Sequence, residues 1–158
     1  MAEWMGKLTP PAGRFALVAS QFNGFIVDRL IDGARGGLSA HGVADENIDI
    51  VRVPGALELP LVADRLACSG SYVAVICLGT IIKGDTDHYD VVVHQSARGI
   101  ADAAIRSGIP VMNAVLTTHT LEQAIHRAGA KSGNKGYEVA GAAIEMVNLL
   151  SQLPGKKS

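Results

Sequence analysis

The stretch Cys77-Leu78-Gly79-Thr80-Ile81-Ile82-Lys83-Gly84-Asp85-Thr86-Asp87-His88-Tyr89-Asp90 joins an apolar run to a polar turn. Upstream, Tyr72 to Leu78 is nearly continuous in Val, Ile and Ala, which predicts a buried strand. Downstream, Asp90 to Ser107 has helical spacing and stops at Gly108. Everything from Gly79 to Tyr89 is then expected at the carboxyl end of a strand, where open α/β sheets hold their ligands. Gly84, Asp85 and Thr86 form a small-residue turn leading into a helix. Such a turn is either a connecting loop with no guest or one that offers backbone N–H groups, and here the Thr86 hydroxyl, to an anion at the positive end of the helix dipole, with phosphate as the guest that fits. Close behind stands His88, the side chain best suited to moving protons near neutral pH.

Working outward, three more β-branched or aliphatic runs stand out: Phe15 to Ser20, Ile48 to Val53 and Pro110 to Leu116. Each is followed by a helical pattern. Asp28 to His41 aligns Leu30, Ile31, Ala34 and Leu38, with Gly42 as the stop; Leu57 to Cys68 aligns Leu61, Val62 and Leu66; Leu121 to Ala128 and Gly136 to Leu150 complete the set. Alternating strands and helices with nearly all-apolar strands predict an α/β fold, a four-stranded parallel sheet covered on both faces in three α/β/α layers. Residues 1–13 read as a loose N-terminal arm, 14–153 as a single domain and 154–158 as a loose tail.

Composition narrows the classes. A chain of 158 residues can bury a core without disulfides or structural metal. A net charge of -1 argues against sequence-independent binding to nucleic acid or to anionic membrane. No long apolar run follows Met1 and no later segment could span a bilayer, so a cytoplasmic location is expected. Cys68 and Cys77 lie in apolar segments without metal-like spacing, and both are read as buried free thiols of a reducing compartment. A mean hydropathy of +0.24 is high for a small monomer and reflects either surface buried between subunits or an index raised by many Ala and Gly residues.

Four turns that come after strands should gather at one edge of the sheet: Gln21-Phe22-Asn23-Gly24, Pro54-Gly55-Ala56-Leu57-Glu58, the Gly79 to His88 run, and Thr117-Thr118-His119. Phe22 is placed either to stack on a planar heterocycle or to cap the core. Glu58 is either a capping acid or a ligand contact. Among five histidines His88 alone is bracketed by a phosphate-type turn, with His119 as its rival. Arg127, near a helix end, and Lys135, at the start of the next helix, read either as dipole partner and solvated charge or as a cationic grip on phosphate.

Taken together, Phe22-Asn23, Val53-Pro54-Gly55-Ala56-Leu57-Glu58-Leu59-Pro60, the Gly79 to Asp90 run, Val115-Leu116-Thr117-Thr118, Glu122-Gln123-Ala124 and Asn134-Lys135-Gly136 resemble the 6,7-dimethyl-8-ribityllumazine synthase family, in order from about Arg14 to Leu150. The resemblance implies a flavodoxin-like fold and an enzyme that needs no metal and no cofactor. It implies the condensation of 5-amino-6-(D-ribitylamino)uracil with 3,4-dihydroxy-2-butanone 4-phosphate, the penultimate step of riboflavin synthesis. By the same resemblance Phe22 stacks on the pyrimidine, Ala56, Leu57 and Glu58 meet the ribityl chain, and Thr80, Ile81 and Ile82 line the ring. Gly84, Asp85, Thr86 and Arg127 hold the phosphate with Lys135 close by, and His88 transfers protons. Asn113 stands where many members carry Phe, Lys83 where Arg is frequent, and His94-Gln95 replaces an Asn-Glu pair. The family's pentamers share active sites between subunits, so Asn113, Arg127 and Lys135 are expected from a neighbouring chain. Twelve pentamers form a 60-subunit shell in members with a short Gly129 to Asn134 bend and an N-terminal arm that adds a strand to the adjacent sheet. Riboflavin synthase is a further expected partner. A catalytically silent flavin-binding protein or a shell scaffold is the alternative.

Overall fold

The computed structural model describes residues 1–131 and 133–155. Its strands are β1 (Phe15–Ser20), β2 (Ile48–Val53), β3 (Ala74–Ile82) and β4 (Val111–Thr118). All pair in parallel in the order β2-β1-β3-β4. The helices are α1 (Gly24–Ala40), α2 (Leu59–Ala67), α3 (His88–Ser107), α4 (Leu121–Arg127) and α5 (Lys135–Gln152). One sheet face, with Phe15, Leu17, Ile76 and Leu78, packs against α1, α4 and α5; the other, with Ala16, Val18, Val75 and Cys77, packs against α2 and α3. This is the three-layer flavodoxin-like sandwich. Burying each large aliphatic or aromatic side chain contributes about 1.5–3 kcal/mol, and β1 and β3 are buried on both faces. No helix among the described residues is long and apolar enough to cross a membrane.

The chain leaves β1 toward β2 on one side and returns from β2 to β3 on the other. The strand order therefore reverses between β1 and β3, the switch point at which such sheets open a crevice. The segments that leave the ends of β1 and β3, the Phe22 turn and Lys83–His88, are consequently brought together.

Several boundaries differ from the sequence expectation. β3 continues to Ile82 and β4 to Thr118, so Gly79 to Ile82 belong to the strand and pair with Val115 to Thr118. Gly79 is not a terminator: its missing side chain makes room for Ser20 Oγ, which a Cβ there would meet at 2.9 Å, and for Leu59. α1 starts four residues early, because Asn23 adopts the left-handed conformation (φ 53°) and turns the chain from strand to helix within one residue. Ala56–Glu58 form a 3₁₀ turn ahead of α2, which moves the core stripe of α2 to Leu59, Ala63 and Ala67 and leaves Leu61 exposed. Cys68 caps the C-terminus of α2 and is exposed. Cys77 is buried as expected, and burial pushes its thiol up to about 12.

The arm is not loose. Asn148 Nδ2 donates to the carbonyls of Lys7 (2.6 Å) and Thr9 (2.8 Å), and Gln152 Nε2 to that of Met5 (3.2 Å), so the arm lies along α5 of its own chain. Of the tail, Lys156 to Ser158 lie outside the described residues.

Between α4 and α5 the bend is closed by an antiparallel bridge, Ala128 to Asn134. Asn134 Nδ2 donates to Arg29 O (2.9 Å) and Ala128 O (3.1 Å), while Asn134 Oδ1 accepts from Tyr137 N (3.2 Å) and caps α5. Gly129 (φ 110°) and Gly133 (φ 78°) take the positive angles that a bend this tight requires; Ser132 between them lies outside the described residues.

Candidate active site

At the switch point lies an open cleft of about 290 Å³ lined by Phe22, Gly55, Ala56, Thr80, Ile81, Ile82, Gly84, Thr86, His88, Tyr89 and Val92. Three of the four expected turns meet there. Phe22 is 63% exposed at its rim, which removes the core-capping reading and leaves an aromatic face open to a planar guest. Leu57 and Glu58 are exposed beside Ala56 without lining the cleft. Glu58 is the N-cap residue of α2, but its side chain makes no capping hydrogen bond; its Oε2 lies over Gly55, 3.1 Å from where a Cβ would stand.

His88 is the first residue of α3 rather than part of the preceding turn, and it is exposed. The N-cap, Asp87, makes no side-chain capping bond, so the first N–H groups of α3 keep their donor capacity. Gly84 has open space where a Cβ would be, so its backbone can be approached closely. Asp85 is exposed and does not line the cleft. Around this turn stand three carboxylates, Asp85, Asp87 and Asp90, against one ammonium, Lys83. A phosphate seated at Gly84 and Thr86 would therefore need a cation from elsewhere. Among the described residues Thr80 Oγ1 is buried without a hydrogen-bond partner next to the same cleft, and Ser20 Oγ shares that condition on β1. Sequence reading missed Tyr89 and Val92, which line the cleft one residue and one helical turn after His88.

Arg127 and Lys135 do not reach this cleft. With Val115, Leu116, Thr117, Thr118 and Gln123 they line a second one of about 420 Å³, beside β4 and between α4 and α5. Arg127 is exposed and makes no ion pair among the described residues; Lys135 Nζ stands 3.9 Å from Glu138 Oε2. Asn113 lines neither cleft. It sits exposed on β4, an edge strand, and its Oδ1 accepts from Val115 N (2.9 Å), using the side chain to satisfy a backbone donor of that strand. His119, the rival histidine, comes just after β4 and sets its ring against Tyr89, centroids 6.0 Å apart and planes at 83°.

A crevice at the reversal point of a parallel sheet, floored by strand ends and closed by a glycine turn at a helix N-terminus, places the chain among flavodoxin-like α/β proteins. The family model described as 6,7-dimethyl-8-ribityllumazine synthase matches residues 12–151. The chain is 53% identical over 147 residues to a protein of Desulfatibacillum aliphaticivorans with that name, covering 93% of this chain and 95% of the relative. It is 52% identical over 148 residues to one of Desulfotalea psychrophila (strain LSv54 / DSM 12343) with the same name, covering 94% and 96%. The chain belongs to the 6,7-dimethyl-8-ribityllumazine synthase family.

Proposed function

We propose that this chain forms 6,7-dimethyl-8-ribityllumazine from 5-amino-6-(D-ribitylamino)uracil and 3,4-dihydroxy-2-butanone 4-phosphate, in riboflavin biosynthesis, as a cytoplasmic transferase without metal or cofactor. The observation that carries the reading is the one cleft uniting Phe22, Ala56, Thr80–Ile82, Gly84, Thr86 and His88 in a chain matched by the family model almost throughout.

Phe22 stacks on the pyrimidine, with Thr80, Ile81 and Ile82 against its edge and the Ala56–Glu58 turn on the ribityl chain. The 5-amino nitrogen attacks the butanone carbonyl, and water leaves to give the Schiff base. Loss of a carbon-bound proton then accompanies departure of phosphate, which takes the C–O bonding pair. The enol left behind takes a proton at its terminal carbon and becomes a ketone, and ring closure by the ribityl-bearing nitrogen onto that new carbonyl expels a second water. Each step moves a proton, and His88 is the group placed to carry it. The departing phosphate gains charge and rests on the Gly84–Thr86 turn at the head of α3, with Asp85 at its side. Much of the acceleration comes from alignment of two bound substrates.

The cation missing from that turn is supplied by Arg127, with Lys135, from a neighbouring subunit in a homopentamer. Supporting this are the separation of the two clefts within one chain and the acidic surplus around Gly84. Exposed apolar side chains such as Phe25, Ile50, Leu61 and Ile105 give a subunit contact something to bury. Asn113, on the β4 edge, comes from the same neighbour. Assembly of twelve pentamers is favoured by the short pinned bend at Asn134 and by Trp4 and Met5, half or more exposed on the arm. Riboflavin synthase, as consumer of the product, is the companion protein of this reading.

The test is incubation with both substrates in the presence of a metal chelator. Lumazine absorbance should rise with release of one inorganic phosphate per lumazine. Tight flavin binding with no turnover would replace the reading by a silent flavin-binding protein, and assembly with neither by a scaffold.

A further inference from the structure

The element that carries His88 is held by little of its own. Residues Lys83 to His88 are exposed, and Asp87 provides no side-chain cap for α3. The first residue of α3 packed against the core is Tyr89, part-buried beside the cluster formed by β1, β3, α2 and α3, and it lines the cleft. Packing at Tyr89 therefore sets how firmly the first turn of α3, and with it His88, is placed.

The Tyr89 ring also meets His119. The 6.0 Å centroid separation and 83° interplanar angle are those of an edge-to-face aromatic pair. His119 is itself fixed. Its backbone N–H donates to Gln123 Oε1 (2.9 Å), which also accepts from Thr120 N (3.3 Å), while Thr120 Oγ1 accepts from Gln123 N (3.1 Å). This reciprocal capping box makes the start of α4 a firm mount for the imidazole ring. The Thr118 hydroxyl, donating to Thr120 O (2.9 Å), tightens the same loop.

We propose that His119 is a positioning residue: its ring clamps Tyr89 and thereby holds His88 in register over the cleft. Because Gln123 lines the Arg127 cleft, the same short loop ties the two half-sites of one chain together. The inference rests on the functional reading above for its catalytic consequence, and on the edge contact alone for its structural one. His119 touches no substrate in this account; a pure packing element that loses its ring loosens the proton carrier without removing it.

The experiment compares wild type, His119→Ala and His119→Phe as full-length purified proteins, by steady-state assay and by amide hydrogen exchange across residues 84–91. His119→Ala should lower kcat about three- to tenfold with KM for the ribitylaminouracil changed less than about twofold, since Phe22 and the Ala56 turn are untouched. Exchange at 84–91 should quicken. His119→Phe, which keeps a ring but no titratable nitrogen, should restore both. Unchanged exchange and full kcat in His119→Ala would overturn the proposal. So would a His119→Phe variant as slow as His119→Ala, because the imidazole would then be acting chemically. A wild type that makes no lumazine faults the functional reading instead, and the exchange comparison, which needs no turnover, still decides the clamp.

Discussion

Within one chain His88 and Arg127 line different clefts: His88 opens α3 on one face of the sheet, and Arg127 ends α4 on the other. On the proposed reaction His88 moves protons and Arg127 holds phosphate, so the two must meet. In this fold they meet only if one subunit's His88 cleft faces another's Arg127 cleft.

Removing the proton carrier should damage chemistry rather than binding. His88→Ala is expected to slow turnover by about ten- to a thousandfold with substrate affinities nearly unchanged, because general acid–base help is what the imidazole supplies. Single-turnover kinetics with calorimetric binding of each substrate checks this. An equally large loss in His119→Phe would shift the role to the other histidine.

Arg127→Ala should act on one substrate only. A charge-assisted grip on phosphate has no replacement among neutral N–H groups, so affinity for the butanone phosphate should fall by about 2 kcal/mol or more. A ribityl-uracil analogue should bind as before. Calorimetry showing the reverse pattern would move the phosphate site.

Shared sites make a prediction that single-chain sites cannot. Mixing unfolded His88→Ala and Arg127→Ala chains in equal amounts and refolding them together should restore roughly a quarter of wild-type activity, since a head-to-tail contact pairs intact halves in one case of four. Separately refolded samples, assayed with butanone phosphate well below the wild-type KM, should stay well below that level. Light scattering of the wild type should report a megadalton particle. Lengthening the bend around Lys131 should reduce it to active pentamers, because the Asn134 bonds to Ala128 and Arg29 would no longer set its angle.

At the opposite end of the sheet, Asp49 accepts from Arg14 Nε (3.1 Å) and Nη2 (2.6 Å) and from the Tyr72 hydroxyl (2.9 Å). The Arg14 bonds first, and Tyr72 second, hold its carboxyl below the ordinary value of 3.8. A lowered folded value means that the stabilisation is complete above the unfolded one and disappears as the pH falls through the folded one. Thermal midpoints should therefore drop more steeply below about pH 4 in the wild type than in Asp49→Asn. Parallel curves would show that these bonds carry no pH-dependent stability.

Much of the site was legible because its parts are local. The turn Gly84-Asp85-Thr86 and His88 are close neighbours in chain, and the apolar run before them announces the strand that delivers them. Gly79 was misleading for a reason that sequence does not display: it is a packing vacancy for Ser20 and Leu59 inside β3, not the end of it. Leu61 and Cys68 were misassigned on the same ground, since the 3₁₀ turn at Ala56–Glu58 sets the phase of α2 and decides which of its apolar residues face the sheet.

Sequence alone determined the class of fold, the order of its elements and the glycine turn with its histidine, because each depends on residues a few positions apart whose periodicity and backbone preferences are local. Tertiary structure alone decided that Phe22, Ala56 and His88 share a cleft, that Arg127 and Lys135 occupy another, and that His119 rests on Tyr89. Those relations depend on which strand lies beside which and on the face each helix covers, and such choices are made by core packing among segments far apart in the chain.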